Sequence, residues 1–241
     1  MAFKSSRGRS LGKLLKNYKT STLGLGFGSG ASFSFKYYAY GAQIGDLELY
    51  FDTGAAPLNG PLSFDPGLGT GTVTTLSGQQ HSSEGLPWNV ASCDLTAYVG
   101  QTGYIVFKYQ SVDYLGDFQI DAMELTLSNG TVVDLDPNTY NSATAKYGYE
   151  ENWITPNVDS SNYPISSSDH ELDYYATSSW VPVGTTGNLG FWSADNGPTG
   201  TVGTGDPTDS DGSSIGYFIY TEVSSSPLEI FWLKTASQYT L

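Results

Sequence analysis

The sequence predicts an all-β chain, an antiparallel β-sandwich or jelly roll, that carries a basic N-terminal arm. Three observations support this fold class. Only 14% of the 241 residues are charged, 14% are aromatic with 18 Tyr among them, and 29 are Gly. Aromatic residues favour strands, and Gly favours the turns between them. So much aromatic surface can be buried that a disordered chain is not expected.

Apolar side chains that alternate with polar ones predict the strands along the chain. The first two strands are expected at 33–38 and 47–51. Further strands are expected at 105–109, 118–120, 123–127, 131–135, 180–183, 215–222 and 228–234. The apolar positions shift by one residue after Asp121, which predicts a β-bulge there. Residues 136–179 are expected to form long surface loops.

The charges divide the chain into two parts. Residues 1–45 hold seven Lys and Arg and no Asp or Glu, whereas the rest holds three Lys against 24 acids. The two parts carry +7 and −21, which sum to the net charge of −14. A basic arm on an acidic body predicts that the arm binds a partner while bodies of like charge repel one another.

Residues 1–31 are the predicted arm and its tether, and residues 32–241 are the predicted single jelly-roll domain. An apolar stripe at i, i+3, i+4 and i+7 begins at Leu11 and predicts a short helix. At roughly ten residues, this helix needs a surface to lie on. Alternating glycines from Gly24 to Gly30 provide a flexible tether. The predicted partner-binding residues are Arg7, Arg9, Leu11, Lys13, Leu14, Leu15, Lys16, Tyr18 and Lys19.

Three kinds of partner suit such an arm. Nucleic acid would be repelled by the acidic body, although the arm alone could hold it. A membrane-binding helix usually shows a longer apolar face. A groove on another protein would use both the apolar stripe and the lysines. The sequence therefore favours other structural proteins of a multi-copy assembly, with a solvated, disordered tail as the alternative.

Cysteine content and hydropathy bear on the compartment. Cys93 is the only cysteine, so no intramolecular disulfide and no cysteine-based zinc site is possible. The absence of disulfides favours assembly in a reducing compartment. No apolar run is long enough for a membrane span, and no signal peptide is expected. A transit peptide is the less favoured interpretation of the basic N-terminus.

Two segments carry a resemblance to a known family. Residues 32–50, SFSFKYYAYGAQIGDLELY, and 116–125, GDFQIDAMEL, resemble strands of the second half of MAM domains. In the second segment Asp117, Ile120, Asp121 and Met123 match the family pattern, and Ala122 replaces an Asp. Residues 197–226 are similar to the opening of that family, so the two halves stand in reversed order. The resemblance implies a jelly roll, circularly permuted or completed by exchange of strands between subunits, although the paired cysteines of the family are absent.

The permuted order has a structural consequence. If it holds, 206–222 and 116–125 belong to the same sandwich, and 216–222 form a strand near the strand at 33–40. Permutation within one subunit is the simpler of the two explanations, because the ends of a compact domain often lie close together.

One ion site can be argued. Asp206, Asp209 and Asp211 crowd a Gly-rich loop, and Ca²⁺ prefers clustered oxygen ligands. Domains of the resembled type can hold a structural cation between the opening loop and the closing strand, which implies Asp121 as a fourth ligand. The alternative is a solvated acidic turn, because the spacing does not fit an EF-hand. No other cofactor is expected.

No catalytic residue is predicted. His81 and His170 stand isolated in polar segments, and no nucleophile elbow G-x-S-x-G occurs. Glu150 and Glu151 are adjacent and are expected to be loop charges. Cys93 is expected to be a small buried residue. A jelly-roll glycoside hydrolase is therefore only the third hypothesis.

Two hypotheses of function are favoured over a glycoside hydrolase. The first is a structural subunit of a virion that assembles in the host cytoplasm, as a capsid decoration, neck or fibre protein. The opening MAFKSSRGRSLGKLLK is similar in composition to those of structural proteins of marine tailed phages. The second is an adhesion module, virion-borne or extracellular, that binds a host-surface glycan or protein. The aromatic residues that could stack on a sugar are Tyr38, Tyr40, Tyr50, Trp88, Trp180 and Trp192.

Overall fold

The computed structural model describes residues 30–54, 59–158, 164–171, 189–190, 192–196, 203–205, 208–212, 216–221, 223 and 229–241. Nearly all regular structure among them is β-strand. The strands are β1 (Ser32–Tyr38), β2 (Asp46–Asp52), β3 (Phe64–Asp65), β4 (Thr75–Ser77), β5 (Asn89–Asp94), β6 (Thr102–Gln110), β7 (Gln119–Thr126), β8 (Val132–Asp134), β9 (Tyr140–Asn141), β10 (Lys146–Tyr147), β11 (Trp153–Val158), β12 (Pro164–Glu171), β13 (Leu189–Gly190), β14 (Trp192–Asp195), β15 (Phe218–Thr221), β16 (Ile230–Thr235) and β17 (Tyr239–Thr240). One short helix, α1 (Gly148–Asn152), and a 3-10 turn at Thr96–Tyr98 complete the described elements.

The strands form two main sheets that pack face to face. The first sheet has the order β14-β15-β7-β1-β5-β3, with β8 added to β7. The second has the order β12-β11-β16-β6-β2-β4, with β13 beside β16 and β17 beside β6. Strand pairs among the described residues are antiparallel, apart from the parallel pair β13–β16. The prediction of an all-β antiparallel sandwich is confirmed.

Aromatic side chains from both sheets meet at Phe107 in the centre of the core. Its ring centroid lies 5.0 Å from that of Phe35, edge to face, and 5.8 Å from that of Phe33. Trp153 and Trp192 contact the same ring at 5.7 and 6.4 Å. All five residues are almost fully buried. Phe107 therefore joins rings of the first sheet, on β1 and β14, to a ring of the second sheet, on β11.

The opposite face of the second sheet carries its own apolar cluster. Tyr50, Val106 and Trp232 come from neighbouring strands and are buried, with Tyr104 and Ile230 packed against them. These residues alternate along each strand with residues of the central core, as the pleat of a strand requires. The sheet thus buries apolar side chains on both of its faces.

The predicted β-bulge is confirmed in β7. Opposite Phe35 of β1, the register of β7 slips by one residue at Ala122 and Met123, and Ala122 has a φ of +48°. The extra residue lets Ile120 and Met123 both enter the core. It also leaves Asp121 on the other face of the sheet, in register with a lysine of β1.

The strands predicted from alternation are confirmed where the structure describes them. Each of β1, β2, β6, β7, β8, β15 and β16 overlaps its predicted position, with ends that differ by at most three residues. The predicted strand at 180–183 lies outside the described residues, as does the arm up to residue 29. Strand β15 pairs with β7, which separates it from β1. This confirms that the chain around 218–221 shares a sheet with 116–125, while the permutation itself stays a prediction.

The prediction of long loops at 136–179 is wrong for the described residues of that stretch, 136–158 and 164–171. This stretch contains the β9–β10 hairpin, α1, β11 and β12. Trp153 starts β11, is fully buried, and donates a hydrogen bond from Nε1 to the Leu135 carbonyl at 2.8 Å. Since β11 pairs with β16, the segment is fixed by tertiary contacts that a short and irregular apolar pattern does not reveal.

Replacing Phe107 with Ala should destabilise the protein by roughly 3–5 kcal/mol, because the ring leaves a cavity between the two sheets. Urea unfolding followed by circular dichroism measures this loss of free energy of unfolding. The control is Val90→Ala on β5, whose side chain is 55% exposed, and it should change stability by no more than about 0.5 kcal/mol. Similar losses in both variants would contradict a core centred on Phe107.

Candidate functional site

The nine predicted arm residues, from Arg7 to Lys19, lie outside the described residues. The described candidate site is therefore on the body, where the loop 208–212 covers Asp121. The backbone N–H of Ser210 donates to Asp121 Oδ2 at 2.9 Å. Lys36, opposite Asp121 on β1, donates from Nζ to the carbonyl and to Oγ of Ser210 at 3.3 and 3.2 Å. Asp121 on β7 and Lys36 on β1 thus hold the loop 208–212 against the first sheet.

Asp209 connects the same loop to the neighbouring segments. Its carboxylate is buried, and it accepts hydrogen bonds from the Asp211 N–H at 3.0 Å and from Asn138 Nδ2 at 3.4 Å. Any side chain at Gly216 would overlap this carboxylate. Asn138 also accepts a hydrogen bond from the Tyr217 N–H. Asp209 is thus a buried residue whose hydrogen bonds fix the conformation of the loop, whereas Asp211 is exposed.

The predicted Ca²⁺ site is only partly assembled by these contacts. Ser210 brings Asp121 next to Asp209 and Asp211, as the prediction required, but Asp206 lies outside the described residues. In the described part of the chain, no group of three or more His, Cys, Asp or Glu side chains could hold a metal ion. Both oxygens of Asp209 already accept hydrogen bonds, and Ca²⁺ takes 6–8 oxygen ligands. The described residues alone therefore do not fit Ca²⁺, which stays a prediction.

Asp121 is nevertheless an unusual carboxylate. It is 1% exposed, and its Oδ1 has no hydrogen-bond donor among the described residues. Burial raises its pKa to about 6, the hydrogen bond from Ser210 lowers it, and the nearby charge of Asp136 raises it. A carboxyl group whose pKa is higher in the folded than in the unfolded protein stabilises the native state at low pH, where the group is protonated. The protein loses this stabilisation as pH rises through the folded-state pKa.

Replacing Asp121 with Asn should therefore have an effect that depends on pH. Relative to D121N, the wild-type protein should lose stability as pH rises from about 4 to about 6, and the difference should level off above about 7. The change should be at most roughly 3 kcal/mol, since one pKa unit corresponds to about 1.4 kcal/mol. Urea unfolding of both proteins across this pH range measures it. A difference that is constant with pH would contradict the raised pKa.

Repeating the same series with calcium chloride tests the predicted ion. A Ca²⁺ ion bound at Asp121 requires the ionised carboxylate and stabilises the folded state by mass action. Calcium should then stabilise the wild-type protein at neutral pH and leave D121N unchanged. Equal responses of the two proteins would remove Asp121 from any calcium site.

Four tyrosines lie beside this loop and form a cluster that we call the tyrosine patch. Tyr140 and Tyr147 face each other across the β9–β10 hairpin, with ring centroids 5.1 Å apart. Tyr147 also contacts Tyr217 at 5.0 Å and lies nearly parallel to Tyr149 at 5.9 Å. Tyr140 is 52% exposed and Tyr147 36%, whereas Tyr149 is buried. Two inner rings thus support two outer rings at the surface.

The tyrosine patch and the loop 208–212 form one continuous surface. Asn138 connects them, because it binds Asp209 through Nδ2 and the Tyr217 backbone through Oδ1. Two further contacts hold the hairpin, one before its first strand and one at its turn: Thr139 donates to Asp134 Oδ2 at 3.1 Å, and Thr144 donates to Glu151. The exposed or half-buried acidic residues beside the patch are Asp134, Asp136, Glu151 and Asp211, and the described lysines beside them are Lys36 and Lys146. The surface around the exposed rings is therefore acidic.

Three of the six aromatic residues predicted to stack on sugars are core residues. Tyr38, Tyr50 and Trp192 are buried, which contradicts a surface role for them. Tyr40 and Trp88 are half-buried, and Trp180 lies outside the described residues. Alternation marks one face of a strand but cannot tell whether that face meets solvent, and here both faces of the second sheet bury aromatic rings. The tyrosine patch was missed because its segment was predicted as loops, although the spacing of Tyr140, Tyr147 and Tyr149 was visible.

His81 is not isolated in a polar loop, as the sequence suggested. It is buried, and its ring lies 3.9 Å from that of Tyr38. Its Nδ1 accepts the Ala39 N–H at 3.1 Å, and its Nε2 lies 3.2 Å from the Pro87 carbonyl. The geometry assigns the proton to Nε2, so the ring is a neutral packing element that fixes the 79–87 loop to β1.

The other candidate groups also lie in regular structure. His170 is in β12, while Glu150 and Glu151 lie in α1 rather than in an extended loop. Cys93 is a buried residue of β5, as expected, and burial raises its pKa to about 12. A thiol with such a pKa is almost entirely protonated at neutral pH and is a poor nucleophile.

Cys93 should therefore react with a thiol reagent only when the protein unfolds. At pH 8 the native chain should label many times more slowly than the chain in urea, because the thiolate is scarce and the sulfur is shielded. Timed labelling followed by mass spectrometry measures both rates. Equal rates in the two states would contradict the buried position of Cys93.

Comparison with known proteins finds no matching family model, no matching curated protein and no matching solved structure. No helix within the described ranges is long and apolar enough to cross a membrane. The resemblances to MAM domains and to phage structural proteins stay predictions. Function must be inferred from the residues themselves, above all from the division of charge and from the tyrosine patch.

Proposed function

We propose that the chain is a non-enzymatic structural subunit of a large, multi-copy assembly, attached through its basic arm. The observation that carries this proposal is the division of charge, with seven Lys and Arg and no acid in residues 1–45. Only one of those seven, Lys36, lies in the described body, where it contacts Ser210. The other six, from Lys4 to Lys19, precede the body.

The few lysines of the body make internal contacts, which supports the same division of labour. Lys108 forms an ion pair with Glu48 at 2.9 Å and lies 5.9 Å from the ring centre of Trp232. Lys234 is buried, with its Nζ 4.4 Å above the ring of Tyr104. Neither extends a free positive charge from the surface. The arm is therefore the part of the chain suited to bind an acidic partner.

The assembly we propose is a phage virion that is built in the host cytoplasm, in which this chain is a capsid decoration, neck or fibre protein. The resemblance of the arm to those of phage structural proteins supports this choice. The described body supports it in a more general way, because a rigid sandwich with an aromatic core of this extent suits a scaffold that is displayed on a surface. The excess of acid on the body disfavours binding to nucleic acid and to anionic membranes.

A second candidate function is recognition of a carbohydrate or protein, at a host surface or outside the cell. The exposed rings of Tyr140 and Tyr147 favour it, because exposed tyrosines are common at binding surfaces. The two functions are compatible if the body binds a ligand while the arm holds it to the assembly.

Substitutions in the arm test the proposed mode of attachment. Leu14→Ser with Leu15→Ser should abolish attachment, because a buried Leu contributes roughly 1.5–3 kcal/mol. Lys13→Gln, Lys16→Gln and Lys19→Gln together should mainly slow attachment and reduce its dependence on salt, since an exposed ion pair contributes about 0–1 kcal/mol. Sedimentation of the assembly with each full-length variant, across a salt series, measures both effects.

The variant that loses more attachment, the leucine variant or the lysine variant, identifies the class of partner. With nucleic acid or lipid as the partner, charge would dominate, and the lysine variant would be the one that fails. That result would overturn the choice of a protein partner. Normal incorporation of both variants would overturn the role of the arm altogether. Circular dichroism should show the same β-rich spectrum for both variants and for the wild-type chain.

A further inference from the structure

We infer that the tyrosine patch is the docking surface for the basic arm of a second copy of this chain. This inference rests on the proposed function, because it names the partner that the arm binds. The occupant is the segment 4–19, which contains six Lys and Arg together with the predicted apolar stripe. The surface consists of the outer rings Tyr140 and Tyr147 and the acidic residues that surround them.

The geometry of the rings shows how a ligand must lie on the patch. The centroids of the contacting pairs are 5.0–5.9 Å apart, so the rings touch one another. No space remains between them for a cation to enter as it would in an aromatic cage. Tyr140 and Tyr147 are inclined at 56° to each other and form a corner whose outer faces meet solvent. A ligand therefore packs across these faces, as an apolar side chain or a flat guanidinium can.

The charges around the rings select a basic ligand. Four acidic residues beside the patch are exposed or half-buried, Asp134, Asp136, Glu151 and Asp211, against Lys36 and Lys146. Arg and Lys gain both from tyrosine faces and from nearby carboxylates. A neutral glycan could use the rings but would gain nothing from the excess of negative charge. Anionic ligands would be repelled.

The arm matches both properties of this surface. Its positive residues, Lys4, Arg7, Arg9, Lys13, Lys16 and Lys19, complement the acids, and its stripe Leu11, Leu14, Leu15 and Tyr18 can cover the exposed rings. Two bodies that each carry a charge of −20 repel one another. The contact between copies that pairs opposite charges is therefore the contact of the arm of one copy with the body of another. Because each copy has one arm and one patch, the contact is heterologous and builds a ring or an open chain.

A complementation experiment with full-length chains tests this inference. One variant, Tyr140→Ser with Tyr147→Ser, has an intact arm and a damaged patch. The other, Leu14→Ser and Leu15→Ser with Lys13→Gln and Lys16→Gln, has an intact patch and a damaged arm. By sedimentation velocity the wild-type chain should form oligomers that grow with concentration and shrink with salt, while each variant alone should be monomeric. An equimolar mixture of the two should form dimers and nothing larger, because only one arm and one patch are functional.

Matched controls separate a local effect from misfolding. Tyr114→Ser, at an exposed tyrosine (49%) outside the patch, should oligomerise like the wild-type chain. Tyr140→Ser alone should weaken association by about tenfold or more, as loss of an interfacial tyrosine typically does. Tyr140 touches the cluster only through the ring of Tyr147 among the described ring pairs, so this variant should keep the fold.

Three outcomes would overturn the inference. If the patch variant still oligomerises like the wild-type chain while the arm variant does not, the arm binds elsewhere and only the proposed function survives. If the arm variant also oligomerises normally, the attachment role of the arm fails as well. If the wild-type chain is monomeric at every concentration, the patch does not bind the arm of a second copy, and it serves either the arm of its own chain or a different ligand such as a glycan.

Discussion

The aromatic contact between the two sheets, centred on Phe107, sets the position of almost everything else in the described structure. Phe107 can meet Phe35 only if β1 and β6, which belong to different sheets, turn these side chains toward each other, and β7 buries Ile120 and Met123 in the same core. An unbroken alternation cannot place residues 120 and 123 on one face of a strand. The bulge at Ala122 solves this conflict, at the expense of a residue with positive φ.

The β-bulge at Ala122 also determines which residues lie on the outer face of the first sheet. With the bulge in place, Asp121 lies beside Lys36 and accepts the N–H of Ser210. The loop fixed in this way carries Asp209, which binds Asn138, and Asn138 in turn binds the backbone of Tyr217. The tyrosine patch is therefore connected to the core by a continuous series of hydrogen bonds. Its exposed rings belong to a rigid surface, and rigid aromatic surfaces lose little conformational entropy on binding.

The sequence was informative where local pattern and tertiary contact agree. Alternation located most of the described strands, and the shift of apolar positions after Asp121 located the bulge, because both follow from the pleat of a single strand. The described residues of 136–179 are not the predicted loops, because Trp153 and Tyr149 are ordered by distant partners rather than by their neighbours in sequence. The same limit applies to the candidate site. Which of the 18 tyrosines meet solvent depends on how the two sheets pack, and no spacing within one strand shows that.

Zero-length carbodiimide cross-linking of a mixture of isotopically heavy and light full-length chains can show directly whether the arm of one copy binds the tyrosine patch of another. The method joins a lysine to a carboxylate only when the two are in contact, and mass differences show whether the partners come from different copies. We expect heavy-to-light links between Lys13, Lys16 or Lys19 and the acids around the tyrosine patch, Asp134, Glu151 or Asp211. Links confined to single copies, or links from the arm to acids elsewhere on the body, would contradict it.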